Sequence, residues 1–359
     1  MSNLDDLKNV RNYLTFDDVL LLPKYSEITP QEVCLETVLF SDLTLKIPIL
    51  SAPMDSLTES GMLLALGKLG GMGVLHRNLS IHEQASQLKI ALDAGINASA
   101  AVGFGPDFEE RVSTLAKLNP SAICIDSAHA HTKNILQATR FIKQHYPHLS
   151  LIAGNVATYE GAKALFEAGA DLVKVGMGSG SICTTRIMSG VGVPALSAIV
   201  DCAKAAREFN RTLIADGGIR NSGDIVKAIA AGASAVMLGS LLAGTDESVG
   251  DIIEHDGHYY KAYRGMGSVH SMVNGSANRY GQNYTAGEAQ NLVPEGVEGL
   301  IPSRGPLKEW VHQILGGIRS GCGYTGADSI KALQEKAQFI TITTASFAES
   351  HPHTIVLKS

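Results

Sequence analysis

Cys183 is the residue of this chain whose neighbours best suit chemistry. It follows Gly176-Met177-Gly178-Ser179-Gly180-Ser181-Ile182 and precedes Thr184-Thr185-Arg186. Three glycines in five residues let the backbone turn sharply and come close to a bound group. A thiol set among hydroxyls and near a cation, Arg186, can be held partly as thiolate, the form that attacks electrophiles. The run before it contains Leu172, Val173 and Val175 and reads as a fully buried parallel strand. The same residues would also suit a glycine-rich turn with an ordinary half-buried cysteine, so the surrounding elements have to decide.

Those elements repeat. Eight short apolar runs are spaced along the chain: 47–50, 71–78, 98–102, 122–126, 151–154, 171–175, 213–216 and 235–238. Helical patterns separate most of them. Residues 154–176 can be laid on 217–239 without a gap, with glycines coinciding at both ends and at Gly169 and Gly232, where a helix needs its stop. In the second copy Ser222 is the expected cap, and Ile225, Ala228, Ile229 and Gly232 fall on one face. Repeated strand–helix units with eight candidate strands predict a (β/α)₈ barrel, a TIM barrel. A doubly wound open sheet would usually show a GxGxxG near its start, and none opens this chain.

A barrel places its active site on the loops after the strands. Ser51, Asp126, Asn155, Cys183, Asp216 and Ser240 all fall at or just past the expected strand ends. The turns Asp216-Gly217-Gly218 and Gly239-Ser240 offer backbone N–H groups suited to a phosphate.

Composition narrows the function. Hydrophobic residues make up 45% of the 359 and charged residues 18%, so the chain can bury a large core. A formal net charge of −6 argues against a nucleic-acid or anionic-membrane surface. Five cysteines without CxxC spacing fit neither a disulfide framework nor a zinc site, and point to a reducing compartment. The acidic amino terminus has no signal h-region and no apolar run reaches membrane-span length, so a cytoplasmic protein is expected.

Three segments lie outside the repeat. Residues 14–24 read as a packing arm. Residues 263–305 are glycine-rich and weakly periodic, which suits a mobile lid. Residues 316–322 are expected to lead into a helix over 328–338, followed by a polar tail. His351 and His353 in that tail could pair on a metal, although a solvated tail accounts for them as well.

The chain resembles the IMP dehydrogenase/GMP reductase family over nearly its whole length, from TFDDVLL at its start to ESHPH in the tail. The most specific stretch is GMGSGSICTTR; DGGI, MLGS and YRGMGS add to it. The resemblance implies one (β/α)₈ catalytic domain over 1–359, with a catalytic loop at 176–192 and a flap at about 268–305. It implies that Cys183 attacks C2 of a purine nucleoside monophosphate. Ser51, Met54, Ser181, Asp216, Gly218, Gly239, Ser240, Tyr263, Gly265, Met266, Gly267 and Glu295 would hold that nucleotide. Asp126, Ser127 and Gly176 would meet the dinucleotide. Gly178, Gly180 and Cys183 would bind a potassium ion, joined by Glu349, Ser350 and His351 from a neighbouring subunit of a homotetramer.

By the same resemblance, the activity is NAD-dependent oxidation of IMP to XMP, a step of guanine nucleotide synthesis, through a thioimidate on Cys183. Arg279-Tyr280 stands where the family's flap supplies a hydrolytic pair, and burial and neighbours would have to assist an arginine acting as base. The alternative is GMP reductase, which deaminates GMP with NADPH and would use Thr185 and Glu295. A third reading is a silent purine-nucleotide-binding barrel. Two departures stand out. The CBS pair that IMP dehydrogenases typically carry after the second strand is missing, so that the length resembles GMP reductases, and Leu300 and Ser303 replace an arginine and a tyrosine of many bacterial dehydrogenases.

Overall fold

The computed structural model describes residues 11–40 and 43–355; the acidic amino terminus lies outside them. Eight parallel strands close into a barrel: β1 Ile49–Ser51, β2 Met72–Leu75, β3 Ala98–Val102, β4 Ala122–Asp126, β5 Leu151–Val156, β6 Leu172–Val175, β7 Thr212–Asp216 and β8 Ala235–Leu238. Neighbours pair in chain order. β8 closes on β1 with Val236, Met237 and Leu238 in register with Ile49, Leu50 and Ser51. Every residue of β1 to β6 and of β8 is buried, because helices cover the outside and side chains fill the inside.

Each strand is followed by a helix: α1 Ser60–Lys68, α2 Ile81–Asp93, α3 Phe108–Ala116, α4 Lys133–His145, α5 Tyr159–Glu167, α6 Ala195–Glu208, α7 Ser222–Ala230 and α8 Leu307–Tyr324. Their starts are written in the sequence. Ser80 and Glu83 form a reciprocal capping box on α2, and Thr132 and Thr158 cap α4 and α5. At α7 the cap is Asn221 and not Ser222: the Asn221 side chain accepts from the Asp224 amide at 2.9 Å. Ser222 lies one position inside, against Gly317 of α8. Ile225, Ala228 and Ile229 are fully buried as their spacing predicts.

One expectation fails outside the repeat. The stretch 316–322 does not lead into a helix but lies within α8, and a separate helix covers Ile330–Lys336. Its glycines serve packing, since a Cβ at Gly321 would approach Val226 of α7 to 2.7 Å. The region 263–305 carries more regular secondary structure than its weak periodicity suggests. A three-stranded antiparallel sheet, β9 Ile252–His255, β10 His258–Arg264 and β11 Glu298–Pro302, roots it. Arg264 pairs with Glu298, so the flap leaves and returns on adjacent strands.

The amino-terminal arm packs as expected, with Val19–Leu21 antiparallel to Phe339–Thr341 and Phe16 buried. Only α2 separates β2 from β3, which leaves no inserted domain there. Among the described residues, no helix is long and apolar enough to cross a membrane.

Candidate active site

The carboxyl ends of the strands open into one cavity. Met54 lines it after β1, Asp126 at the end of β4, and Gly176, Gly178, Gly180, Ser181, Cys183 and Thr185 after β6. Asp216 and Gly218 line it after β7, and Gly239 and Ser240 after β8. Tyr263, Gly265, Met266 and Gly267 come from the end of β10. Arg279, Tyr280 and Glu295 bring the flap into the same wall.

Five expected residues stand elsewhere. Ser51 is fully buried behind the wall, where its hydroxyl accepts from Thr58 at 2.9 Å. Ser127 donates to the His129 carbonyl at 3.2 Å and does not line the cavity. Glu349, Ser350 and His351 end an exposed helix, Thr344–Glu349, that packs near Phe16–Asp18, outside the cavity of their own chain.

Cys183 is half-buried, and its thiol donates to the Thr185 hydroxyl at 3.2 Å. The loop is zipped to the returning flap: the Thr184 amide donates to the Glu295 carbonyl at 2.9 Å and the Val297 amide to Ile182 at 3.0 Å. Arg186, expected near the thiol, is committed to the loop itself. Its Nη2 donates to the Val193 carbonyl at 2.6 Å, clasping the loop's far end. Gly176 is required sterically, because a Cβ there would collide with the Asp216 carbonyl.

The largest departure from the sequence reading is Lys174. It lies in the middle of β6, fully buried, and donates to Asp126 at 2.9 Å and Asp216 at 2.8 Å, with Asn155 beside it. Asn155 also donates to Asp216 at 2.9 Å. Arg279 of the flap completes the cluster by pairing with Asp126. A lysine inside an otherwise apolar strand was the available signal, since lysine is almost never fully buried unless paired.

The cluster sets its own protonation. Burial alone would raise the Asp126 carboxyl, but Arg279 and Lys174 outweigh it and hold Asp126 well below the usual carboxylate range. Burial would lower Lys174, and Asp126 and Asp216 instead hold it above the usual lysine range. Arg279 follows the same logic: burial acts downward, yet Asp126 carries the net shift upward. In this docked flap, therefore, the neighbours oppose loss of the arginine's proton and do not assist it. Tyr280 lies against Gly267, where an added Cβ would meet its ring at 2.8 Å; burial raises its phenol despite the charge of Arg279.

Two further contacts fix the walls. Tyr263 is buried with its hydroxyl 3.5 Å from the Met54 sulfur; burial raises its pKa, and a hydrogen bond with Ser181 offsets part of that rise. Asp55, after β1, accepts from Arg264 Nε at 2.9 Å, Asn78 Nδ2 at 3.0 Å and Ser271 Oγ at 3.0 Å. One buried carboxylate thus ties two barrel loops to the root of the flap.

Comparison with known proteins agrees with this geometry. A family model described as the IMP dehydrogenase / GMP reductase domain matches residues 13–353. The inosine-5'-monophosphate dehydrogenase of Aquifex aeolicus is 39% identical, over 97% of this chain and 96% of its own length. That of Bacillus subtilis is 38% identical over 95% and 96%, and one from Streptococcus pyogenes 38% over 99% and 98%. The Aquifex alignment runs over 477 residues against a chain of 359, so part of that relative has no counterpart here. From its closed barrel and cysteine loop to its flap, the chain belongs to the IMP dehydrogenase/GMP reductase family.

Proposed function

We propose that the chain is an IMP dehydrogenase that oxidises IMP to XMP with NAD⁺. The observation that carries this reading is that the flap seats Arg279 and Tyr280 in the same cavity as Cys183, with Arg279 on Asp126. The Cys183 thiolate would add to C2 of the purine, forming the S–C2 bond. NAD⁺ supplies a hydride acceptor for that carbon. Water then adds to C2 and the S–C2 bond breaks, returning the thiol and releasing XMP.

In this scheme Gly218, Gly239 and Ser240 hold the phosphate. Ser181, Tyr263, Gly265, Met266, Gly267, Asp216, Met54 and Glu295 orient ribose and base. Asp126 and Gly176 meet the nicotinamide half. Ser51 supports the wall from behind through Thr58, and Ser127 shapes the loop after β4. Docking Arg279-Tyr280 excludes bulk water while the adduct awaits hydrolysis. Because Asp126 raises Arg279, the arginine acts first as a cation that orients water and must loosen from Asp126 before it takes a proton.

Potassium fits the residues present. Among the described residues, the carbonyls of Gly178 and Cys183 receive no hydrogen bond from backbone or side chain. Carbonyl oxygens of this kind suit a hard cation. Gly180, whose carbonyl accepts from the Cys183 amide at 3.1 Å, would add a third through its second lone pair, and Glu349, Ser350 and His351 of a neighbouring copy in a homotetramer would complete the shell. A cytoplasmic location is part of the same reading.

GMP reductase is the second reading, favoured by the 3.2 Å contact between Cys183 and Thr185 with Glu295 in the same wall. Stopped-flow kinetics separates the two. In a dehydrogenase, Arg279→Ala slows hydrolysis by about 10² to 10⁴ while sparing hydride transfer, which gives a burst of NADH before slow turnover. Wild-type behaviour of that variant with IMP, together with turnover of GMP and NADPH, would overturn the dehydrogenase reading.

A further inference from the structure

Lys261 lies in the middle of β10 and is only 3% exposed. Its ammonium meets carbonyls in place of a carboxylate: Nζ donates to Ser248 at 2.6 Å, to Thr245 at 3.2 Å and to Asp246 at 3.3 Å. All of these acceptors belong to one turn in the segment that joins β8 to β9. Serving three carbonyls takes three N–H donors, which the protonated amine has and the neutral amine lacks. Burial lowers the lysine, while the carboxylates of Asp246, Asp251 and Glu247 act the other way from a distance. Clustered carbonyl oxygens make a cage for a monovalent cation, and here the cation is tethered.

From this cage, hydrogen bonds run back to the Gly239-Ser240 turn. Thr245, whose carbonyl receives Lys261, donates its hydroxyl to the Leu242 carbonyl at 2.8 Å. The amides of Leu242 and Ala243 both donate to the Gly239 carbonyl at 3.0 Å. Along β10 the path returns. Tyr263 stands two residues beyond Lys261, on the same face of the strand, and is buried with it. Its hydroxyl lies over Gly239, where an added Cβ would meet it at 2.7 Å. The strand and the turn after β8 therefore touch at Lys261 and again at Tyr263, and the two contacts close a ring through Gly239.

We propose that Lys261 is a positioning residue for nucleotide binding: its ammonium, held in the carbonyl cage of Thr245, Asp246 and Ser248, fixes the Gly239-Ser240 turn against Tyr263. This role rests on the nucleotide reading of the cavity, in which Gly239 and Ser240 hold the phosphate and Tyr263 orients ribose and base. Lys261 does not line that cavity, so it acts through the turn and the strand and not by touching the nucleotide. Without the ammonium the carbonyls lose their shared donor, and the turn must rearrange to find others.

The test uses the full chain at fixed potassium. Lys261→Ala empties the cage and leaves room for propylammonium, which replaces the missing atoms of the side chain; tetramethylammonium, which has no N–H, is the control. Calorimetry is expected to show IMP and GMP bound about tenfold more weakly, since a misplacement of ~1 Å costs up to about 10²-fold. In turnover KM should rise while kcat, set at Cys183, changes less. Propylammonium should restore most of the affinity and tetramethylammonium none. Lys261→Met keeps the stem and fills the space, so it should show the same loss without rescue, and it carries the test if Lys261→Ala does not fold. Wild-type affinity in Lys261→Met, a fall in kcat with KM unchanged, or equal effects of the two cations on Lys261→Ala overturns the proposal. A wild-type protein that binds neither nucleotide overturns the nucleotide reading and the proposal with it, whereas the other outcomes leave that reading standing.

Discussion

Lys174→Met tests the buried charge cluster directly. The substitution keeps most of the side-chain volume and removes the ammonium that lies 2.9 Å from Asp126 and 2.8 Å from Asp216. Breaking a buried pair by deleting one partner costs about 3–5 kcal/mol. The lower part of that range applies, because Asp126 keeps Arg279 and Asp216 keeps the Asn155 amide. An unfolding entropy of about 2.1 cal/mol/K per residue gives a chain of this length about 0.75 kcal/mol/K, so a loss of ~3–4 kcal/mol lowers Tm by ~4–5 °C. The pH profile adds a sign. Asp126 is depressed in the fold, so its contribution is complete above about pH 4 and is lost as acid carries the pH down through the folded value. Lys174 is raised, so its contribution is present below about pH 10 and fades as alkali carries the pH up through the folded value. The deficit should therefore be flat between those limits and narrow outside them. Circular-dichroism melts across pH read it. A Tm within 1 °C of wild type at neutral pH would refute the reasoning.

Cys183→Ala should abolish turnover yet leave calorimetric binding of IMP largely intact, because the thiol supplies the covalent step and the glycine turns much of the affinity; substantial residual turnover would remove the nucleophile. Potassium should raise the steady-state rate over a large organic cation at equal ionic strength, and equal rates would discount the carbonyl site. Asp55→Ala should cost about 2 kcal/mol by orphaning charge-assisted bonds, and should speed proteolysis of the flap. Unchanged cleavage would show that the root of the flap does not depend on that carboxylate.

The barrel was legible because its strands are apolar runs that end in polar turns, and because the repeat marked helix stops at Gly169 and Gly232, both of which adopt positive φ. The cysteine loop was legible from its glycines. The sheet that roots the flap was not: every residue of β9 is exposed, so Ile252 and Ile253 carry no alternation for a period to catch. The glycines of α8 misled for a related reason. Glycine normally argues against a helix interior, but here close approach to Ser222 and Val226 outweighs propensity. Lys174 was passed over because its strand reads as buried on every side, and the pairing that makes its burial tolerable comes from strands 48 residues before it and 42 after. Such long-range compensation leaves no local pattern.

The same cluster explains how one carboxylate could serve two visitors. Asp126 receives one cation from the barrel, Lys174, and one from the flap, Arg279. Lys174 is fixed within β6, so Asp126 keeps one cation beside it when Arg279 departs. Under the dehydrogenase reading, the departing arginine vacates the place where the nicotinamide half would meet Asp126. Under the same reading, flap and dinucleotide compete for one anion that always keeps a cation beside it. Without Lys174, each opening of the flap would strand a buried carboxylate beside Asp216, raising its pKa and making the exchange dependent on pH. Under that reading, the lysine steadies Asp126 while flap and dinucleotide exchange.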